Sequence, residues 1–379
     1  MDTKEFRTRQ EIVRTTTHPK AKKYIIGLDA GYSSMKVYHE NGYFCFPSYA
    51  RKIDGDMLSV TSEKDILYRD LDTNELYMLG QSAQDMISSD ETNDTDGELY
   101  SRKRYGNKTF KILCNASIAI AILDKQDNRE VVIQTGLPSS YETADRPAII
   151  KALSKQGNFE IKLGNRPWRK FSLAVKPENI FVMPQPAGSL YSVLIKDDGK
   201  YIANAKDYLF GNVLVMDIGF GTFDFYGIKS RTITCKESID EIGMRQVFKT
   251  TSKKIMEEMN EEIRIQALQK NLTAGKVTCL NEEEMKTEDR PLEPLLSAAS
   301  DEVFKDAIER AKSITSAFRD YNYLIVSGGT GDAWYEKIEK YLSGMHTLHV
   351  MKGNVNDHLP MIYSNVRGYY MFQYTLNKR

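Results

Sequence analysis

In the stretch IIGLDAGYSSMKVYHENG, residues 25–42, an apolar run ends on Asp29, and Gly31, Ser33, Ser34 and Lys36 crowd the turn and strand start that follow. A second stretch, VLVMDIGFGTFDFYG from Val213, has the same form: Asp217, Gly219 and Thr222 stand at the offsets of Asp29, Gly31 and Ser34. Each group follows an apolar strand and precedes another. Glycine lets backbone N–H groups approach an anion that a Cβ would hold away, and hydroxyls add donors. Lys36 lies seven residues after Asp29 and, by strand alternation, reaches back as a counter-charge for phosphate. The aspartates repel phosphate, so their place is around a hard cation such as Mg²⁺, directly or through its waters. One isolated Asp-x-Gly is most often a turn and nothing more. The duplication in matched surroundings makes it a site.

A third piece is YLIVSGGTGDAW, where an apolar strand runs into Gly328, Gly329, Thr330 and Gly331, and Asp332 opens a helix. Bare backbone there lets a flat base or ribose lie close. Alone the signal is weak, because such turns are common between strands and helices. Three turns together describe phosphate, cation and nucleoside.

The elements that position these turns are legible as alternating apolar periods. YIIGL, MKVYH and YFCF read as a strand meander with Asn41-Gly42 as a tight turn. FKILCNASIAIAIL reads as a buried helix; VVIQT and IFVMP read as strands, the latter leading into helix QPAGSLYSVLI. Residues 85–107 are charged and turn-rich, which predicts a surface loop or flap, and KDDGKYIANAKDYLFGN predicts a polar connection. Residues 244–271 and 300–320 carry a helical period, with LNEEEMKTEDRPLEP as a charged linker between them. A last helix is expected after Pro360. Residues 1–23 lack a hydrophobic period and predict a flexible extension. Strands alternating with helices say α/β.

Composition narrows the class. At 379 residues two domains are expected, and equal counts of 52 basic and 52 acidic residues leave no basic field for direct nucleic-acid binding. Cys45, Cys114, Cys235 and Cys279 form no CxxC pair, which argues against a zinc cluster or disulfide framework and suits a reducing, cytoplasmic setting. His346, His349 and His358 have no carboxylate at regular helical spacing and read as structural. No apolar run approaches the roughly 20 residues of a membrane span, and the N-terminus has no signal-peptide core.

The stretches GLDAGYSSMKV, MDIGFGTFDF and IVSGGTGD resemble the phosphate-1, phosphate-2 and adenosine motifs of the actin-fold ATPases. QTGLPSSY at 134–141, VMPQPAG at 182–188 and LPMIYSNVRGYYMF at 359–372 are similar to the ParM-type plasmid-segregation proteins within that superfamily. The resemblance covers residue 24 to the C-terminus and implies an actin-like fold: two related α/β domains, each a mixed sheet flanked by helices, around a nucleotide cleft. Domain I would comprise 24–194 and 345–379, and domain II 195–344.

It also implies roles. Asp29 and Asp217 would surround Mg²⁺ through water. Gly31, Ser33, Ser34 and Lys36 would meet the phosphates from one side, and Gly219, Gly221 and Thr222 from the other. Gly328, Gly329 and Thr330 would back the adenosine, and the turn at Gly243 would close the base pocket. Gln185 takes the position of the water-activating residue. A glutamine orients water but does not take up its proton as a carboxylate does.

The expected function is a Mg²⁺-dependent ATPase, with GTP as an alternative, that self-associates into filaments. A DNA-binding adaptor at a plasmid site would be its partner, with no membrane. The competing readings on the same fold are a sugar-type small-molecule kinase and a non-polymerising, chaperone-like ATPase. No extra substrate-binding domain and no long C-terminal peptide-binding region is evident for either.

Overall fold

Both Asp-x-Gly turns close antiparallel hairpins. The first joins Tyr24–Ala30 to Ser34–His39 with Asp29 opposite Lys36, and the second joins Asn212–Ile218 to Thr222–Lys229 with Asp217 opposite Asp224. The computed structural model that carries them describes residues 3–53, 62–87, 101–154 and 157–378.

Each hairpin sits in its own sheet. The first sheet runs Glu11–Arg14, Gly42–Pro47, Ser34–His39, Tyr24–Ala30, Val131–Leu137, Ile180–Pro184, and its last three strands are parallel. The second runs Thr232–Asp240, Thr222–Lys229, Asn212–Ile218, Tyr323–Ser327, His349–Lys352, again mixed. Strands Arg169–Leu173, Gly157–Leu163, Ile66–Asp70, Leu76–Leu79 and Ala50–Ile53 form an accessory sheet on the first half. The α/β mixed-sheet architecture expected from the sequence is present.

The strands that end at the aspartates are apolar throughout because both faces are covered. Ile26 and Leu28 point into the core shared with helix Lys108–Ile122. Ile25 points the other way, toward Val366 and Tyr370 of helix Ser364–Asn377. That helix lies so close that a Cβ on Gly27 would stand 2.3 Å from the Val366 carbonyl oxygen. In the second half Leu214, Met216 and Ile218 face its own core. Val213 and Val215 face the same layer as Ile25, so one apolar layer joins the two halves beneath the turns.

Several sequence expectations change. Helix Met244–Met259 stops at Asn260, which takes the left-handed conformation at φ 56° and caps it, and a separate helix, Leu268–Ala274, follows. Asparagine tolerates that conformation better than most residues. The second long helix is Glu293–Thr315, ended by Ser316, Ala317 and Phe318 at positive φ. The charged linker is a hairpin, Lys276–Asn281 with Lys286–Pro291, in which only Val277 and Cys279 are buried. Its exposed strand carries no apolar alternation to read. The polar connection contains a short helix, Ala205–Phe210, seated by buried Tyr208. The sequence puts the return to the first half at about 345. Strand His349–Lys352 still pairs with Tyr323–Ser327, so the return comes after Lys352.

The largest difference is at the N-terminus. Read as an extension outside the domains, it instead adds edge strand Glu11–Arg14 to the first sheet and seats Phe6 in the core of the second half. His18 stacks on Tyr38 with ring centroids 4.1 Å apart. Of the expected flap, residues 88–100 lie outside the described residues. Of the described parts, 85–87 end helix Gly80–Asp85 and 101–107 hold a short 3-10 helix with Arg104 and Tyr105 buried.

Candidate functional site

The two hairpin turns open into one cleft. Asp29, Gly31, Ser33, Ser34 and Lys36 line one wall; Asp217, Gly219, Gly221 and Thr222 line the other. Gly328, Gly329 and Thr330 line it from the turn after Tyr323–Ser327, and Gln185 enters from the first residue of helix Gln185–Leu194. Asp29, Asp217 and the glycine turns lie at the carboxyl ends of strands or just beyond them, where α/β sheets place ligands, while Ser34, Lys36 and Thr222 lie at the start of the return strands.

Asp29 is held by the chain on both oxygens. Lys36 Nζ stands 3.0 Å from Oδ2, and Gln185 Nε2 donates to Oδ1 at 3.1 Å. Asp217 is likewise fixed: Asn365 Nδ2 donates to Oδ2 at 2.7 Å and Ser327 Oγ to Oδ1 at 3.1 Å. Asn365 is itself aimed by Ser189, whose Oγ donates to its Oδ1 at 2.7 Å. Burial, and next to it the negative charge of Asp29, push the Asp217 carboxyl above the usual carboxylate range. The two facing carboxylates have one neighbouring ammonium, Lys36, and a divalent cation beside them would balance the remaining charge, while Arg7, Arg9 and Arg104 line the same cleft. No group of three or more His, Cys, Asp or Glu residues that could hold a metal ion occurs among the described residues.

Some of the cleft glycines stand where a Cβ would press on a neighbour. On Gly31 it would lie 2.8 Å from the Ser34 carbonyl oxygen, and on Gly221 3.0 Å from the Tyr32 ring. Gly328, at φ 85°, crosses directly under Ile218 and the Asp217 carboxylate. Thr330 ties the turns together: its Oγ1 donates to the Gly219 carbonyl at 2.6 Å and accepts from Met244 N–H at 3.1 Å. Gly243 does not line the cleft. At φ 126° it packs behind Gly219 and Phe220 and starts the helix whose first residue, Met244, does line it.

Residues 27–188 match the family model of the actin like proteins N terminal domain. A 15-stranded ParM filament from Clostridium botulinum superposes with a TM-score of 0.70 at 20% identity, covering 92% of this chain and 98% of that one. The pCBH ParM non-polymerisable quadruple mutant gives 0.69 at 19% identity, over 93% and 99% of the two chains. Ta0583, an archaeal actin homolog, in complex with ADP, gives 0.60 at 19%, over 92% and 99%. No curated protein matches the chain in sequence. This chain has the actin-like fold.

Within the actin-like cleft the structure adds residues that the motifs do not name. Arg104 is buried, donates from Nη2 to the Ala30 carbonyl at 2.7 Å and lies over the Tyr32 ring at 4.1 Å. It stiffens the first turn from a segment whose charge reads as solvent-exposed. Asp224, on the second hairpin, accepts from Ser139 N–H at 2.8 Å and from the Ser238 hydroxyl. Burial and the neighbouring Asp217 charge raise its carboxyl to about 7. Ser140 and Ser238 exchange backbone-to-hydroxyl bonds of 3.0 and 2.8 Å, and Tyr141 Oη donates to Asp240 at 2.6 Å. The loop after Val131–Leu137 is thereby stitched to the opposite half. A carboxylate at a buried strand position was the only signal for Asp224. Glu5, Phe6, Arg7, Thr8 and Arg9 also line the cleft, from the segment the sequence left outside it.

Proposed function

We propose that the chain is a Mg²⁺-dependent ATPase whose nucleotide-bound form assembles into filaments, and that an adaptor protein links the polymer to plasmid DNA. The observation that carries this reading is the facing of two matched Asp-x-Gly hairpins across one cleft, with a glycine turn at its third wall. Among the structures of the same fold one is a ParM filament and another carries bound ADP, which supports polymer and nucleotide together. The zero net charge favours an adaptor over direct DNA contact. No helix among the described residues is long and apolar enough to cross a membrane.

In this reading the backbone amides and hydroxyls of the turns at Gly31–Ser34 and Gly219–Thr222 hold the phosphates, and Lys36 neutralises part of their charge. Asp29 and Asp217 would hold Mg²⁺ through its waters, and the ion would supply charge neutralisation at the phosphates during transfer. Gln185 spends its Nε2 donor on Asp29, which turns its carbonyl oxygen into the free acceptor of the amide. That oxygen orients the attacking water and takes no proton from it.

Gln185→Ala should therefore bind ATP and assemble nearly as wild type but hydrolyse at least roughly tenfold more slowly, the low end for a positioned group. Its filaments should persist. Phosphate release followed against polymer mass tests this, and equal rates in variant and wild type would remove Gln185 from the mechanism.

A further inference from the structure

The segment before the first hairpin runs across both halves of the molecule. Glu11–Arg14 is an edge strand of the first sheet, in register with Gly42–Cys45. Gln10 Oε1 accepts from Gln81 N–H at 2.7 Å, still in the first half. Thr8 touches both halves at once: its hydroxyl donates to Gln84 Oε1 at 2.8 Å, and its N–H donates to Gln269 Oε1 at 3.0 Å, on a helix of the second half. Phe6 is 5% exposed and belongs to the core of the second half. Between these anchors the chain passes along the cleft that the two aspartates line.

Arg7 sits in the middle of this crossing. It is half-buried, it lines the cleft, and its Nε is buried without a hydrogen-bond partner among the described residues. A buried, unmatched donor on a guanidinium costs free energy until something accepts from it. A nucleoside polyphosphate offers acceptors along its whole length and suits the planar fork of arginine.

Resting on the nucleotide reading above, we propose that residues 5–9 form the outer wall of the nucleotide site: Arg7 donates to the bound nucleoside di- or triphosphate, and the seating of Phe6 holds that wall shut. The strap is anchored on both halves, so the cleft cannot open for nucleotide to leave without Phe6 or Thr8 giving up its contacts. Exchange of nucleotide is then governed by a segment outside the three turns, and the strap acts on the release step as well as on affinity.

The test uses the full chain and a fluorescent ADP analogue with Mg²⁺. Arg7→Ala should weaken equilibrium binding at least about tenfold with partial rescue in Arg7→Lys, since a charge-assisted hydrogen bond is lost and lysine keeps the charge without the fork. Phe6→Ala should speed release at least tenfold. Hydrogen exchange at Thr8 N–H should slow when ADP binds to wild type. If Phe6→Ala does not fold, Arg7→Ala and the exchange measurement decide, because the Arg7 side chain is outside the core. Wild-type binding with unchanged affinity, release and exchange would overturn the strap while leaving the site intact. A wild-type chain that binds no ADP or ATP would overturn the nucleotide reading and the strap with it.

Discussion

Asp217→Asn is expected to lower Mg²⁺-dependent ATP hydrolysis by at least about a hundredfold, the scale of losing one preorganised electrostatic group at a phosphoryl-transfer site. The substitution keeps the volume of the side chain, and one amide oxygen remains to accept from Asn365 or Ser327. What disappears is one of the two negative charges at the facing hairpins, the one that burial and Asp29 already make costly to keep ionised. Removing that charge eases the apo protein, so stability should hold or rise while activity collapses. Such an opposite movement of the two quantities is what a functional carboxylate predicts. Steady-state hydrolysis against Mg²⁺ concentration, with thermal melting as control, measures both, and a variant with wild-type hydrolysis and metal dependence would take Asp217 out of the site.

Gly328→Ala should be damaging for a different reason. The residue sits at φ 85° and ψ 161°, a region essentially reserved for glycine. A Cβ there would stand 2.3 Å from the Ile218 carbonyl oxygen and 2.7 Å from Asp217 Oδ1. Neither neighbour can yield easily, because Ile218 ends the central strand of the second sheet and Asp217 is fixed on both oxygens. Backbone strain of roughly 1–3 kcal/mol and overpacking of roughly 1–3 kcal/mol add to an expected loss of about 3 kcal/mol in stability. The turn at Gly328 and the turn at Gly219 would be pushed apart, and in the proposed reading nucleotide affinity should fall at least about tenfold. Denaturant unfolding and nucleotide titration of the same sample check this, and wild-type values in both would show that the turn has slack the geometry denies.

The three turns were legible because their chemistry is local. Asp29, Gly31 and Ser34 lie within six consecutive residues, as do Asp217, Gly219 and Thr222, and each set is framed by a buried strand. The groups that aim them were not. Asn365 reaches Asp217 from 148 residues away with no spacing to announce it, while Gln185, named through the family resemblance as the water-activating residue, is joined to Asp29 from 156 residues away by a contact the sequence does not show. Arg104 carries a charge in a polar stretch and reads as solvated until the Tyr32 ring is placed beneath it. Glu11–Arg14 is four residues long and pairs with a strand beginning at Gly42, so neither its length nor its period distinguishes it from an extension. Lys286–Pro291 is exposed throughout except at Arg290, and its partner strand supplies the buried side chains.

The central claim is that nucleotide in this cleft drives assembly. Sedimentation of the full chain with electron microscopy, run with ATP and Mg²⁺, with each alone, and with neither, tests it directly. Pelletable filaments should form only with ATP and Mg²⁺ together and disappear as phosphate is released. A chain that stays monomeric at high concentration with ATP and Mg²⁺, and instead transfers phosphate to a sugar, would contradict it.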